Sequence, residues 1–199
     1  MPQRLAAGPL ACYVVTAMNE PLPRLLREGP IGFTAAEFLH MGDVGAFDDM
    51  KVELIGGQIQ RMTPPMNEHA ERQASVVIRL SRVVPENLLR GEVSVEVSGD
   101  TIVGCDAAML RHPVAGRRSL RADDLLLVVE VAETTADRDL DVKRRLYAAV
   151  GVPHYWVIDG KRRVTHVFGQ PGDGEYSEVA IIPFGQPLPV PGTHATIIL

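Results

Sequence analysis

The sequence predicts an α/β (α+β) domain, a mixed β-sheet flanked by helices. Three observations carry that prediction. The run from Leu125 to Val131 is apolar at every position except Glu130, as expected of a strand covered on both faces. A helical stretch follows it and stops at Gly151 and Pro153. The dipeptide Gly56-Gly57 separates two short strand-like segments, which is a strong hairpin signal.

Taken in order, residues 1–32 read as an N-terminal extension, poorly ordered at its start, and residues 33–199 as one domain. The opening segment resembles a signal peptide only slightly, because Gly8 and Pro9 break a weak apolar core, and Met18 is an alternative start to Met1. Thr34 and Glu37 form a capping-box pattern for a short helix over 35–41. A Gly- and Asp-rich loop leads to strands over 51–55 and 58–62, the second ended by Pro64-Pro65. The longest helical pattern covers 67–89. Its expected buried stripe is Ala70, Ala74, Val77, Ile78 and Val84, with Arg72, Arg79, Arg82 and Glu86 on the wet face. Pro85 kinks or ends it.

Strands follow over 92–97 and 101–107, around Gly99-Asp100. A polar loop then carries Arg111, Arg117, Arg118 and Arg121. In the strand that follows, Leu126, Val128 and Glu130 share one face. Thr134 and Asp137 open the next helix, on which Leu140, Lys143, Tyr147 and Val150 form one stripe. The stripe should face the sheet and so turn Lys143 towards Glu130. Strands over 154–158 and 164–168 flank Gly160-Lys161, and Lys161, Arg162 and Arg163 read most simply as a solvated turn. The proline-bearing tail offers short strands at best.

Composition narrows the function. Hydrophobic content of 46% and charged content of 23% suit a globular chain of 199 residues, and no apolar run is long enough to span a membrane. The net charge of −5 argues against a generally basic nucleic-acid coat but permits a local basic groove. Two cysteines, Cys12 and Cys105, without CxxC spacing imply a reducing, cytoplasmic setting rather than a disulfide framework. Phosphate-loop, dinucleotide, serine-hydrolase and zinc-protease motifs are all missing from the sequence.

What remains is two acids and a lysine. Asp106 and Glu130 each end an apolar strand, and sequential strands are usually neighbours. Converging carboxylates repel, and a hard divalent cation removes that cost. An inward Lys143 would stabilise charge on a phosphate. The plainer reading is that Asp106 caps a turn, Glu130 pairs with an arginine and Lys143 reaches solvent along its stem.

These residues also carry a resemblance. The segments ELIGG at 53–57, Pro64-Pro65, Asp106, EVA at 130–132, Asp139 with Lys143 and Tyr147, and GVPHYWVID at 151–159 resemble the Uma2 family, of the PD-(D/E)XK, restriction-endonuclease-like superfamily. The resemblance covers roughly residues 33–168. It implies a restriction-endonuclease-like fold and Mg²⁺-dependent endonuclease activity (Mn²⁺ as a substitute) on nucleic acid, with DNA favoured over RNA. It further implies that Asp106, Glu130 and the backbone carbonyl of Val131 hold the metal. Glu53 would add an acid and Lys143 the superfamily lysine, and a homodimer is compatible with it. His69, Arg117, Arg118 and Tyr147 are candidate substrate contacts, each with a structural role as its alternative. Where the family has acids at the positions of Gly56 and Gln58, a proline at Cys105 and a serine at Glu133, this chain departs from it. A catalytically inactive module that binds nucleic acid or a protein is the second function class.

Overall fold

A nine-stranded mixed sheet with helices on both faces organises the chain in a computed structural model that describes residues 31–133 and 139–199. Residues 1–30 of the predicted N-terminal extension (1–32) and the helix start at Thr134 and Asp137 lie outside the described residues. Helix α1, Ala35–Asp43, begins on the expected capping box: Thr34 Oγ1 accepts from the Glu37 N–H, and Glu37 accepts from the Thr34 N–H. Strands β1 (Val52–Ile55) and β2 (Gln58–Arg61) form the hairpin. Its turn needs glycine: Gly57 has φ +77, and a Cβ there would meet the Gly32 backbone at 2.9 Å.

Helix α2, Asn67–Leu80, is shorter than the sequence pattern and rotated from the predicted stripe. Val76 and Leu80 are buried, whereas Ala70 and Ala74 are exposed and Ile78 is 53% exposed. The face towards the sheet runs His69, Gln73, Val76 and Leu80, at i, i+4, i+7 and i+11. Polar residues hold its first two turns, so an apolar count misses it. The helix stops at Ser81, whose hydroxyl donates to the Ile78 carbonyl, and Pro85 disfavours helical backbone at the residue before it.

Strands β3 (Leu89–Ser98) and β4 (Thr101–Leu110) pair along their lengths, and the two-residue β5 (Leu120–Arg121) adds to β3. Strand β6 (Leu125–Ala132) lies between β4 and β7 (His154–Asp159). It is buried on both faces, which explains its apolar run. Val128 packs with Tyr147 and Tyr155 on one side, and Leu127, Val129 and Val131 with Val76, Leu80 and Trp156 on the other. The irregular register at Met109/Leu110 puts Leu125, not Leu126 as expected, in the cluster with Val128.

A π-helical turn, Asp139–Lys143, leads into helix α3, Arg144–Ala149. Buried Lys143 and Tyr147, with Leu140 and Val150 packed on the same core cluster, show the expected inward stripe. Strands β8 (Val164–Gly172) and β9 (Glu175–Pro183) complete the sheet. The nine residues of β9 exceed the short strands expected of the tail. As the sheet's end strand it is exposed at most positions, so it leaves no alternating signal, and only the turn at Asp173-Gly174 marks it. β10 (Pro187–Pro189) and β11 (Thr196–Ile198) form a separate pair.

Candidate active site

One edge of β4 is shared by two strands, and the site lies between them. β1 pairs at Ile102, and β6 pairs from Ala107 onward. Residues 103–106 have no ladder partner on that edge among the described residues. Buried backbone groups must still be paired, and here side chains do it. The Gly104 N–H donates to Glu53 Oε1 at 3.0 Å, and the Gly104 carbonyl accepts from Lys143 Nζ at 2.7 Å. The Asp106 carbonyl accepts from Gln73 Nε2 at 3.0 Å.

The same gap frees one end of β6. The Val131 N–H donates to the Asp106 side chain, at Oδ2, at 2.7 Å instead of to the β4 backbone. The next carbonyl, that of Ala132, accepts from the Gly160 N–H on the β7 side. Successive carbonyls of a strand point to opposite edges, so the Val131 carbonyl is aimed back into the gap beside Asp106.

Lys143 closes the inner end. Its Nζ lies 3.0 Å from Glu130 Oε1 and 3.3 Å from Glu53 Oε1, besides the bond to Gly104. An ammonium has three donors, and each has an acceptor here. The Tyr147 hydroxyl donates to Glu130 Oε1 at 3.2 Å. Burial first, and the Glu130 charge second, push that hydroxyl well above the ordinary tyrosine range, which keeps it a donor. The same two causes raise the Cys105 thiol. Glu53, Glu130 and Lys143 are at most 4% exposed.

The outer end is wetter. Asp106 and His69 side chains are 17% and 21% exposed, with His69 Nε2 at 3.1 Å from Asp106 Oδ1. Both line a cavity of about 310 Å³ with Glu130, Val131 and Lys143, under a lip that includes Pro64 and Pro65. Glu133 also lines it, held by Arg72 at 2.5 Å.

The structure thus gathers Glu53, Asp106, Glu130, Val131, Lys143, His69 and Tyr147 into one centre. Arg117 and Arg118 are placed elsewhere. Arg118 grips Asp124 with two bonds of 2.7 and 2.8 Å, and Arg117 pairs with Asp43 at 3.0 Å; neither lines the cavity. Gln73 went unnoticed in the sequence, although its spacing with His69 and Val76 on one helix face was the available signal; Arg72 reads there only as a wet-face residue and Glu133 only as a departure from the family.

Lys143 lies between Glu53 and Glu130, and Asp106 stands further out beside His69, so three carboxylates meet one lysine and one histidine here. Asp106, Glu130 and the Val131 carbonyl are hard oxygen donors, so the set suits a small divalent cation. Among the described residues no three His, Cys, Asp or Glu side chains form a metal cage, so such a cation would rest on two carboxylates and the carbonyl.

Comparison with known proteins agrees with this architecture. The crystal structure of a "putative nuclease" from Anabaena variabilis superposes with a TM-score of 0.59 at 21% identity, over 80% of this chain and 89% of that one. At that identity the likeness speaks for the fold, which is nuclease-like. No curated protein matches. The family model described as "Uma2: Putative restriction endonuclease" matches residues 35–198. Matched over most of its length, the chain belongs to the Uma2 family.

Proposed function

We propose that this protein hydrolyses phosphodiester bonds in nucleic acid, DNA in the first place, and needs Mg²⁺ or Mn²⁺ to do so. The observation that carries the reading is the charge imbalance in the gap of β4: three carboxylates and one lysine at a concave, partly open site. Buried charge of that kind is costly unless a ligand uses it.

In this reading Asp106, Glu130 and the Val131 carbonyl hold the cation. A divalent ion there supplies Lewis-acid charge for the phosphoryl group. Lys143 works as a fixed charge, because Gly104, Glu130 and Glu53 hold its position from three sides. Glu53 is a positioning residue: it bonds Gly104 and Lys143 and sits 1% exposed behind the cavity wall. His69 stands on the cavity wall, where it can hold or pass a proton next to Asp106.

A second reading, a nuclease-fold module that binds without turnover, draws on the extra acids Glu68, Glu92 and Glu133 around the cavity. Incubation of supercoiled plasmid with Mg²⁺ or Mn²⁺ separates the two. Nicking by wild type that Asp106→Ala and Lys143→Ala both abolish is expected. No cleavage of DNA or RNA by folded wild type would leave the binding module.

A further inference from the structure

The turn between β7 and β8, which reads as solvated in the sequence, leaves the sheet beside the site. β6 and β7 are parallel with Ala132 opposite Asp159, so Glu133 and the turn 160–163 emerge at one edge. They touch there: the Glu133 carboxylate lies so close to Gly160 that a Cβ at that position would collide with it. Glu133 lines the cavity and holds Arg72. The Arg72 guanidinium lies 5.4 Å from the centre of the Phe184 ring, and the Arg163 guanidinium lies 5.5 Å from the same ring. The Phe184 N–H donates to the Arg163 carbonyl at 2.9 Å, which fixes ring and arginine together.

Two further features belong to this corner. Arg163 has φ +55, a conformation that glycine or asparagine adopts at less cost and that Glu92, Gln170 and Asp173 also adopt. Lys161 and Arg163 are exposed and have no carboxylate partner among the described residues. The arginines of the 111–121 loop differ: Arg117, Arg118 and Arg121 pair with Asp43, Asp124 and Glu96.

We propose that Lys161, Arg163 and Phe184 form a ridge that grips the phosphates of a nucleic-acid strand next to the reacting bond. The proposal rests on the nucleic-acid reading of the neighbouring site. A guanidinium over an aromatic ring is held near it by cation–π attraction, which leaves its N–H groups able to donate to a phosphate. Such contacts set the register of a strand without reading its bases. Arg72, neutralised by Glu133, positions Phe184 and links the ridge to the cavity.

The test is fluorescence anisotropy in EDTA with a short labelled DNA duplex and its single strand, over a range of salt. Removing two phosphate contacts in Lys161→Ala/Arg163→Ala lowers the salt slope on duplex by about 1.8, with a loss of affinity of about tenfold or more. Arg163→Gly, which relaxes the backbone at φ +55, gives about half that change in a chain that folds at least as well. Arg145→Ala removes an exposed arginine on α3 paired with Asp141 and leaves the slope unchanged. Wild-type affinity and slope in the double variant overturn the ridge, as does an equal fall in Arg145→Ala. Wild type that cleaves while the double variant binds normally removes the ridge alone. Wild type that neither binds nor cleaves removes the nuclease reading, and the ridge with it.

Discussion

Two ion-paired clusters in this fold look alike on paper and differ in charge balance. In the first, Asp124 is 5% exposed and meets Arg118 through two parallel bonds, while its Oδ2 also accepts from the Arg121 N–H. One arginine, 43% exposed to water, faces one carboxylate, with the exposed His112 ring 3.5 Å from Asp124 Oδ1. In the second, Lys143 is buried between Glu53 and Glu130, and Asp106 stands at the mouth. The first cluster closes a loop and is satisfied as it stands. The second sets three carboxylates against one lysine and the His69 imidazole beside a cavity. A balanced pair is what structure needs; the imbalance points to a ligand.

The sharpest way to break that comparison is to remove the lysine. Lys143→Met leaves two buried carboxylates facing each other, and urea unfolding should show a loss of about 3–5 kcal/mol. Adding Glu53→Gln recovers part of it, because one of the repelling charges is gone. A neutral Lys143→Met would mean that the centre carries no uncompensated charge.

Asp124→Ala should cost less, about 1–3 kcal/mol in the same assay, since Arg118 can turn to solvent. Plasmid cleavage should be unchanged, as Asp124 and Arg118 lie off the cavity. The Arg118 bonds hold the Asp124 carboxyl down at about 2 against the opposing effect of burial. A lowered folded-state value stabilises above the ordinary carboxylate range and is lost as pH falls towards about 2. The acid limb of the stability curve should therefore flatten in Asp124→Ala between about pH 4 and pH 2.

Tyr147→Phe removes one hydrogen bond to Glu130 and should cost about 0.5–1.5 kcal/mol, with a modest fall in cleavage. The smallest effect is a chemical one. In a Cys12→Ser chain at pH 8, Cys105 should stay silent to a thiol reagent until denaturant is added, since burial and Glu130 raise its thiol. Rapid labelling would show that the cavity floor is open to solvent.

The fold was legible where burial leaves a pattern. β6 is covered on both faces and reads as an apolar run, and the hairpin shows through Gly56-Gly57. The inward stripe of Lys143 and Tyr147 was legible because Leu140 and Val150 flank it. The working face of α2 was not, since His69 and Gln73 occupy positions where periodicity looks for apolar side chains. Nor were the roles of the arginines. Arg118 and Arg163 look equivalent in the sequence, and only the fold brings Asp124 to one and Phe184 to the other. The gap in β4 is likewise a property of strand pairing that the sequence does not display.

The most direct test of the central claim is a calorimetric titration with Mn²⁺ of wild type, Asp106→Asn and Asp124→Ala. The account predicts that wild type and Asp124→Ala bind the ion alike, whereas Asp106→Asn loses about tenfold or more in affinity, because one of the two carboxylates that would hold it is neutral. Equal binding by all three proteins, or none by wild type, would contradict it.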